Sequence, residues 1–397
     1  MSSSTSISDP ATPWRVIGLR AVGIGLGGLL LALVLQLALS QLPVVAGIHY
    51  ADPRPGTPTA RYAPGPYVNS LSWDLRLPVH GRVNDEGFLA PFEYETGKPV
   101  IGLFGDSFVE GLMVPFDQSL AGQLQARVAA SPNAGLPATA YNFGFSAAAL
   151  PHYLGLGREL SARYRLDSAV LVVIPGDYDE GFYTAEGQYS WADDDTPRPG
   201  EPLIRLTETR SRNALKKTLR QVALYRYLHG NLLLEVLPLF KHPSEGRGCE
   251  PARLSAADEQ RIDRYVAELP EALKLPPERI VMVFNRNPYA TLIYDPVDRP
   301  ASVAPPCPSR DSLALDRLER VAGEHGVRIV DTTPMLLDEY RRHRRLLDFT
   351  PVDRHWNGQT IGLVASSIVD ALTRSPADAP ANGRPANERA ANGRPTE

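Results

Sequence analysis

The chain has 397 residues, 43% of them hydrophobic and 22% charged, with a formal net charge of −4. That suffices for one large core or two small ones, and no strongly basic segment marks a nucleic-acid binder. The two cysteines, Cys249 and Cys307, exclude a disulfide-dense scaffold, and no ligand spacing suits zinc or another metal.

Residues 1–13 are Ser/Thr-rich and read as a disordered N-terminus. Residues 14–40 read as a transmembrane signal anchor. Its stretch Ala21–Leu39 carries no charge, and Gln36 is its one strongly polar side chain. At 1.5 Å per residue such a helix spans about 30 Å, the thickness of a bilayer core. Arg15 and Arg20 precede it and no cation follows until Arg54, which places the N-terminus in the cytoplasm and residues after Gln41 outside. A cleaved signal peptide is the rival reading, since Ala38-Leu39-Ser40 resembles a cleavage site, and a buried core helix is a third. The run is longer than an ordinary signal-peptide core, which favours the anchor. Residues 41–79, rich in Pro, Gly and Tyr, read as a spacer lying against the domain. Asn84-Asp85-Glu86-Gly87-Phe88 reads as a tight turn.

From Val100 to Leu372 strand and helix patterns alternate, which predicts an α/β domain over residues 80–374. Its sheet is mostly parallel, with helices on both faces in three layers. Strands are expected at 100–104, 139–143, 169–174, 280–284 and 327–330, and helices from about 118 (Leu120, Leu124, Val128), near 151–164, 255–269 and 311–325, and after Gly358 with the stripe Ile361, Val364, Ala365, Ile368 and Leu372. Residues 183–253 break the rhythm and read as an insertion, with an amphipathic stretch near Arg212–Phe240. Beyond an oxidising membrane face, Cys249 and Cys307 read as one disulfide worth about 4 kcal/mol of unfolded-chain entropy. Residues 375–397 have almost no apolar surface and read as a disordered tail.

Four strand-end or helix-start turns carry reactive groups. Gly105-Asp106-Ser107 follows the first strand, where either Asp106 or Ser107 could simply cap a helix. Gly144-Phe145-Ser146-Ala147 follows the second strand, Gly176-Asp177 follows the third, and Asp353-Arg354-His355 precedes the last helix, with Asn357 as its N-cap. Ester chemistry needs a hydroxyl nucleophile, a base, a carboxylate to orient the base, and donors for the oxyanion. A doubly wound sheet would gather one of each along one edge.

Gly105-Asp106-Ser107-Phe108 with Gly111, Asn142-x-Gly144-x-Ser146-Ala147 and Asp353-x-His355-Trp356-Asn357 resemble the conserved blocks of the SGNH/GDSL hydrolase superfamily. The likeness is strongest to its membrane-anchored branch, which includes relatives of cell-envelope O-acetylation proteins. The resemblance implies a flavodoxin-like SGNH fold and no cofactor. Ser107 becomes the nucleophile, His355 its base and Asp353 the orienting carboxylate. Ser107, Gly144, Ala147 and Asp177 become candidate oxyanion groups, and Asp106, His152 and Trp356 candidate substrate contacts. Two positions depart from the pattern: Ala147 stands where the family has Gly, and Asp177 where it has Asn. An α/β-hydrolase elbow fits less well, because position 109 is Val rather than Gly.

The expected protein is a single-pass bacterial inner-membrane esterase or O-acyltransferase with a periplasmic domain. The expected substrate is an acyl group, above all acetyl, on a cell-envelope glycan. The bilayer, through residues 21–39, and a membrane acyltransferase are the partners that fit, and nucleic acid is not. The alternatives are an inactive SGNH-fold glycan-binding or assembly protein, and a lipid esterase or thioesterase.

Overall fold

The computed structural model describes residues 13–51, 59–71, 74–131, 135–183, 187–192, 197–199, 218–232, 253–286, 309–350 and 353–374. Cys249 and Cys307 lie outside the described residues, as do the N-terminal twelve positions and the tail from 375.

Helix α1 (Pro13–Leu39) contains Ile17–Leu39, whose best window has a mean hydropathy of 2.3 and no buried residue. Among the described helices it is the one long and apolar enough to cross a membrane. Leu19 and Ile24 stand 73% and 77% exposed, so the helix is no core element. Its far end is tied to the folded domain. Gln36 Oε1 accepts the Leu224 N–H at 2.9 Å, and Leu39 packs with Val44 and Ala223.

Beyond α1, the stretch expected to be a spacer contains an antiparallel hairpin, β1 (Gly65–Leu71) with β2 (Arg76–Val83). Pro66 and Pro78 are tolerated because this two-stranded ribbon is all edge. Tyr67, Val79 and Val83 turn inward and join the main core.

That core surrounds a five-stranded parallel sheet of β3 (Pro99–Phe104), β4 (Ala140–Asn142), β5 (Arg165–Val173), β8 (Ile280–Phe284) and β9 (Arg328–Asp331). Its order is β4-β3-β5-β8-β9. Between β5 and β8 lie a short ribbon, β6 (Tyr189–Trp191) with β7 (Pro197–Pro199), and α6 (Ala223–Arg226). Of the amphipathic stretch expected around 212–240, residues 218–232 are described. Residues 218–219 are helical, and α6 and a π-helical turn (Tyr227–Asn231) follow.

Strand residues alternate between the two faces. Ile101, Leu103, Val170, Val172, Val281 and Val283 meet α3 (Leu120–Ala130) and α10 (Gly358–Thr373). Val100, Phe104, Leu171, Val173, Met282 and Phe284 meet α4 (Leu150–Ser161), α7 (Ala256–Leu273) and α8 (Arg310–Glu324). The result is the expected three-layer α/β sandwich. Side chains start the helices: Ser119 caps α3, Ser255 and Asp258 form a capping box on α7, and Asn357 caps α10.

Successive connections run in opposite senses about β3. The chain runs through α3 to β4 on one side, then through α4 across to β5 on the other. In sheets of this kind the crevice opens at the carboxyl end of such a switch strand. Here that end is Phe104-Gly105-Asp106-Ser107.

Candidate active site

Helix α2 (Ser107–Glu110) is a single turn. Asp106 caps it by accepting the Phe108 N–H at 3.0 Å, and Gly111, at φ +73°, closes it in the left-handed conformation that a side chain would resist. Ser107 therefore opens the turn with its hydroxyl facing out of the sheet edge, and its own N–H has no intrahelical acceptor.

The loop before α10 meets it. His355 Nε2 stands 2.7 Å from Ser107 Oγ across 248 residues of chain, and His355 Nδ1 stands 2.8 Å from Asp353 Oδ1. The same Asp353 oxygen accepts the backbone N–H of His355 at 2.7 Å. Burial alone would raise the Asp353 carboxyl. The hydrogen bonds and charge of His355, with the Arg354 amide adding to them, outweigh burial and hold it below its ordinary range. The loop is stapled by Asn357, whose Nδ2 donates to Leu346 O at 2.7 Å, and by Thr360 Oγ1 donating to Leu347 O at 2.7 Å. Alcohol, imidazole and carboxylate thus lie in one hydrogen-bonded line, with the imidazole 23% exposed.

Phe108 supports this line from below. Its ring lies 4.7 Å from the His355 ring and 5.0 Å, edge-on, from Trp356. Trp356, expected at the substrate, is instead 4% exposed and part of the core. Successive residues of an extended loop face opposite ways, so His355 meets the serine while Trp356 anchors the loop. Asp106, the second expected substrate contact, is 5% exposed and occupied as the helix cap.

His152, the third, is buried as well. It is 1% exposed, and its Nδ1 accepts the Tyr189 N–H at 3.2 Å. Burial, reinforced by the Arg61 charge, drives its pKa down to about 3, so it is a neutral acceptor inside the fold.

The four oxyanion candidates differ in what their backbone and side-chain groups already meet. Gly144 is a packing group: its N–H is taken by Asn142 Oδ1 at 3.0 Å, and a Cβ there would collide with the Glu110 amide nitrogen. Ala147 sits at φ +58°, a left-handed conformation that glycine adopts more readily than a residue with a side chain. Among the described residues neither the Ala147 nor the Ser107 N–H meets an acceptor.

Asp177, at the start of α5 (Asp177–Glu180), is turned back on its own turn. Its Oδ2 accepts the Ile174 N–H at 3.0 Å and stands 3.1 Å from Tyr153 Oη, while Oδ1 is buried without a partner among the described residues. Burial first, and the Asp106 carboxyl second, push it well above the usual carboxylate range. The proton arithmetic agrees. Tyr153 has one hydroxyl proton yet also stands 3.0 Å from Ala148 O. A neutral Asp177 can donate to the phenol oxygen while the phenol donates to that carbonyl. The Asp177 carboxyl is thus engaged within its own turn and by Tyr153.

No protein-family profile matches the chain, and no curated protein does. Several solved structures are similar to it at low identity, two of them as follows. One is LAE5, described as an α/β-hydrolase enzyme from the metagenome of Lake Arreo, Spain. It is 16% identical over 71% of this chain and 99% of that chain, with a TM-score of 0.34. The other, a variant of the esterase AlinE4, is 14% identical over 71% of this chain and 97% of that chain, with a TM-score of 0.32. These likenesses carry no residue role over to this chain.

Two groups beside the serine were not singled out from sequence. Glu110 and Tyr62 are joined in a buried hydrogen bond, although 48 residues separate them. The spacing Ser107-x-x-Glu110 places both on one helical turn, but nothing in sequence announces so distant a partner.

Proposed function

We propose that this chain is a membrane-anchored serine esterase or O-acyltransferase of SGNH type. The observation that carries the reading is the line Ser107 Oγ–His355–Asp353, at 2.7 and 2.8 Å. In this mechanism Ser107 Oγ attacks the acyl carbonyl carbon as His355 Nε2 takes its proton. Asp353 keeps the other ring proton on Nδ1, so Nε2 is the free base, and it stabilises the imidazolium that forms. The N–H groups of Ser107 and Ala147 receive the oxyanion. His355 then returns the proton to the departing alkoxide, leaving the acyl group on Ser107. Water or a sugar hydroxyl gives its proton to Nε2 as it attacks the acyl carbon, and Nε2 returns that proton to Ser107 Oγ as the acyl–Oγ bond breaks, releasing the acid or the acylated sugar.

The acyl group proposed is acetyl, on a cell-envelope glycan outside the cytoplasmic membrane. Its support is the uncharged stretch Ala21–Leu39 of α1 with Arg15 and Arg20 ahead of it, together with the SGNH-like blocks. The engagement of Asp177 within its own turn weighs against the inactive, binding-only alternative.

The test is turnover of aryl acetate and longer aryl esters by the full chain in detergent. Hydrolysis that is fastest with acetyl and abolished by Ser107→Ala supports the reading. Equal inertness of wild type and Ser107→Ala at every acyl length ends it, and rates that climb with chain length point to a lipid esterase.

A further inference from the structure

Glu110 is a buried carboxylate that the proposed chemistry leaves unused. It is the last residue of α2 and 1% exposed. Every donor around it comes from outside its own helix. Oε1 accepts the Ser146 N–H at 3.3 Å and the Tyr62 hydroxyl, and Oε2 accepts the Ser146 hydroxyl. The backbone of the same residue is held as well: Asn142 Nδ2 donates to Glu110 O at 3.0 Å, and Gly144 packs directly on its N–H. Helix α2 carries Ser107 at one end and this cluster at the other. Ser146 immediately precedes Ala147.

We propose that Glu110 is a positioning residue that fixes the turn bearing Ala147 against the helix bearing Ser107, with Tyr62 completing the hold. This rests on the reading of those two backbone N–H groups as the oxyanion donors. An alanine at φ +58° persists only where its surroundings over-determine it. On one side of Ala147 the determinants are the Ser146 contacts to Glu110. On the other, Ala148 is tied through its N–H to Phe145 O and through its carbonyl to Tyr153.

Tyr62 brings a second consequence. It lies in the segment that follows α1, and its ring stacks on Phe145 of the same turn at 4.9 Å and on Tyr50 at 5.8 Å. The chain leaving α1 therefore forms part of the wall that sets the donor geometry. Oxyanion donors act at 2.7–3.1 Å, and a misplacement of about 1 Å costs about 10²-fold in rate.

Full-length protein in detergent is compared as wild type, Glu110→Ala, Glu110→Gln and Ser146→Ala, by aryl-ester kinetics and by amide hydrogen exchange. For Glu110→Ala the expected result is exchange at least about tenfold faster in peptides spanning 143–149, with sheet peptides unchanged. Its kcat should fall about 10- to 100-fold at a KM within about twofold. Glu110→Gln can still accept at Oε1 and donate to the Ser146 hydroxyl, so it should recover kcat to within about threefold. Adding Ser146→Ala to Glu110→Ala should cost nothing further. If Glu110→Ala does not fold, Ser146→Ala alone decides, with faster exchange and about tenfold lower kcat expected. Unchanged exchange at 143–149, or faster exchange with kcat intact, overturns the proposal. A wild type that turns over no ester counts against the proposed function, and the exchange comparison then decides the hold by itself.

Discussion

Replacing Asp353 by asparagine should cost this site far less than replacing it by alanine. A single carboxylate oxygen, Oδ1, takes two donors from His355: the ring Nδ1–H at 2.8 Å and the backbone N–H at 2.7 Å. The backbone N–H cannot reverse its role, so the asparagine must keep its carbonyl oxygen there and turn its amino group away. The opposite orientation would set N–H against N–H, at about 1–3 kcal/mol for the unpaired donor. The ring then keeps its proton on Nδ1, and Nε2 stays free to act on Ser107.

What is lost is the negative charge beside the imidazolium. Hydrogen bonds to charged groups are worth about 1.5–3 kcal/mol and neutral ones about 0.5–1.5, a difference of about 1–1.5 kcal/mol. That corresponds to about a tenfold loss in kcat/KM. Alanine loses both the charge and the tautomer control, for about 10³–10⁴-fold. Aryl-ester kinetics on both variants measure the ratio. An asparagine variant as damaged as the alanine variant would refute the reasoning, since it would mean that the amide offers its N–H₂ to the ring.

Ala147→Gly should stabilise the protein. Relief of left-handed strain is worth about 1–2 kcal/mol and glycine's extra unfolded-state entropy costs about 0.5–1, so Tm should rise by about 1–3 °C. Esterase turnover should be preserved because the N–H remains, and a fall in Tm contradicts the assigned conformation. His152 makes stability depend on pH. Its folded pKa of about 3 lies below its ordinary 6.5, so the unfolded chain binds the extra proton and stability falls as pH drops from 6.5 towards 3. At pH 5 the loss is about 2 kcal/mol. His152→Gln can still accept the Tyr189 N–H without that proton. The Tm of wild type relative to this variant should therefore decline between pH 7 and pH 5, whereas a constant difference would show that His152 titrates normally. The raised acids Asp106, Glu110 and Asp177 are common to both chains and cancel.

The sheet was legible in the sequence because its central strands are buried on both faces. Val100–Phe104, Ala169–Val173 and Ile280–Phe284 therefore read as apolar runs whatever their neighbours. The meeting of Ser107 with His355 was legible for a related reason: parallel strands put all their carboxyl ends on one edge. The hairpin at 65–83 was hidden by Pro66 and Pro78, which mask the alternation of Tyr67, Val79 and Val83. Helix α9 (Thr332–His343) was hidden by Thr332-Thr333-Pro334, which reads as a turn yet is a first helical turn capped by Asp331.

The burial of several expected site residues has another cause. Adjacency to a motif does not say which way a side chain points, so Trp356 and His152 looked like cleft residues and proved to be packed inside. Gly144 could equally have been present for a close approach or for a free N–H, and sequence cannot tell these apart. Glu110 was invisible because its partners, Tyr62 and Ser146, lie 48 and 36 residues away.

The central claim is that Ser107 carries an activated hydroxyl, and covalent labelling tests it most directly. Full-length protein treated with a fluorophosphonate ester should gain one adduct, on the peptide containing Ser107. The adduct should be lost in Ser107→Ala and slowed at least about 10³-fold in His355→Ala. A wild type that stays unlabelled, or that carries the adduct on any other residue, would contradict the account.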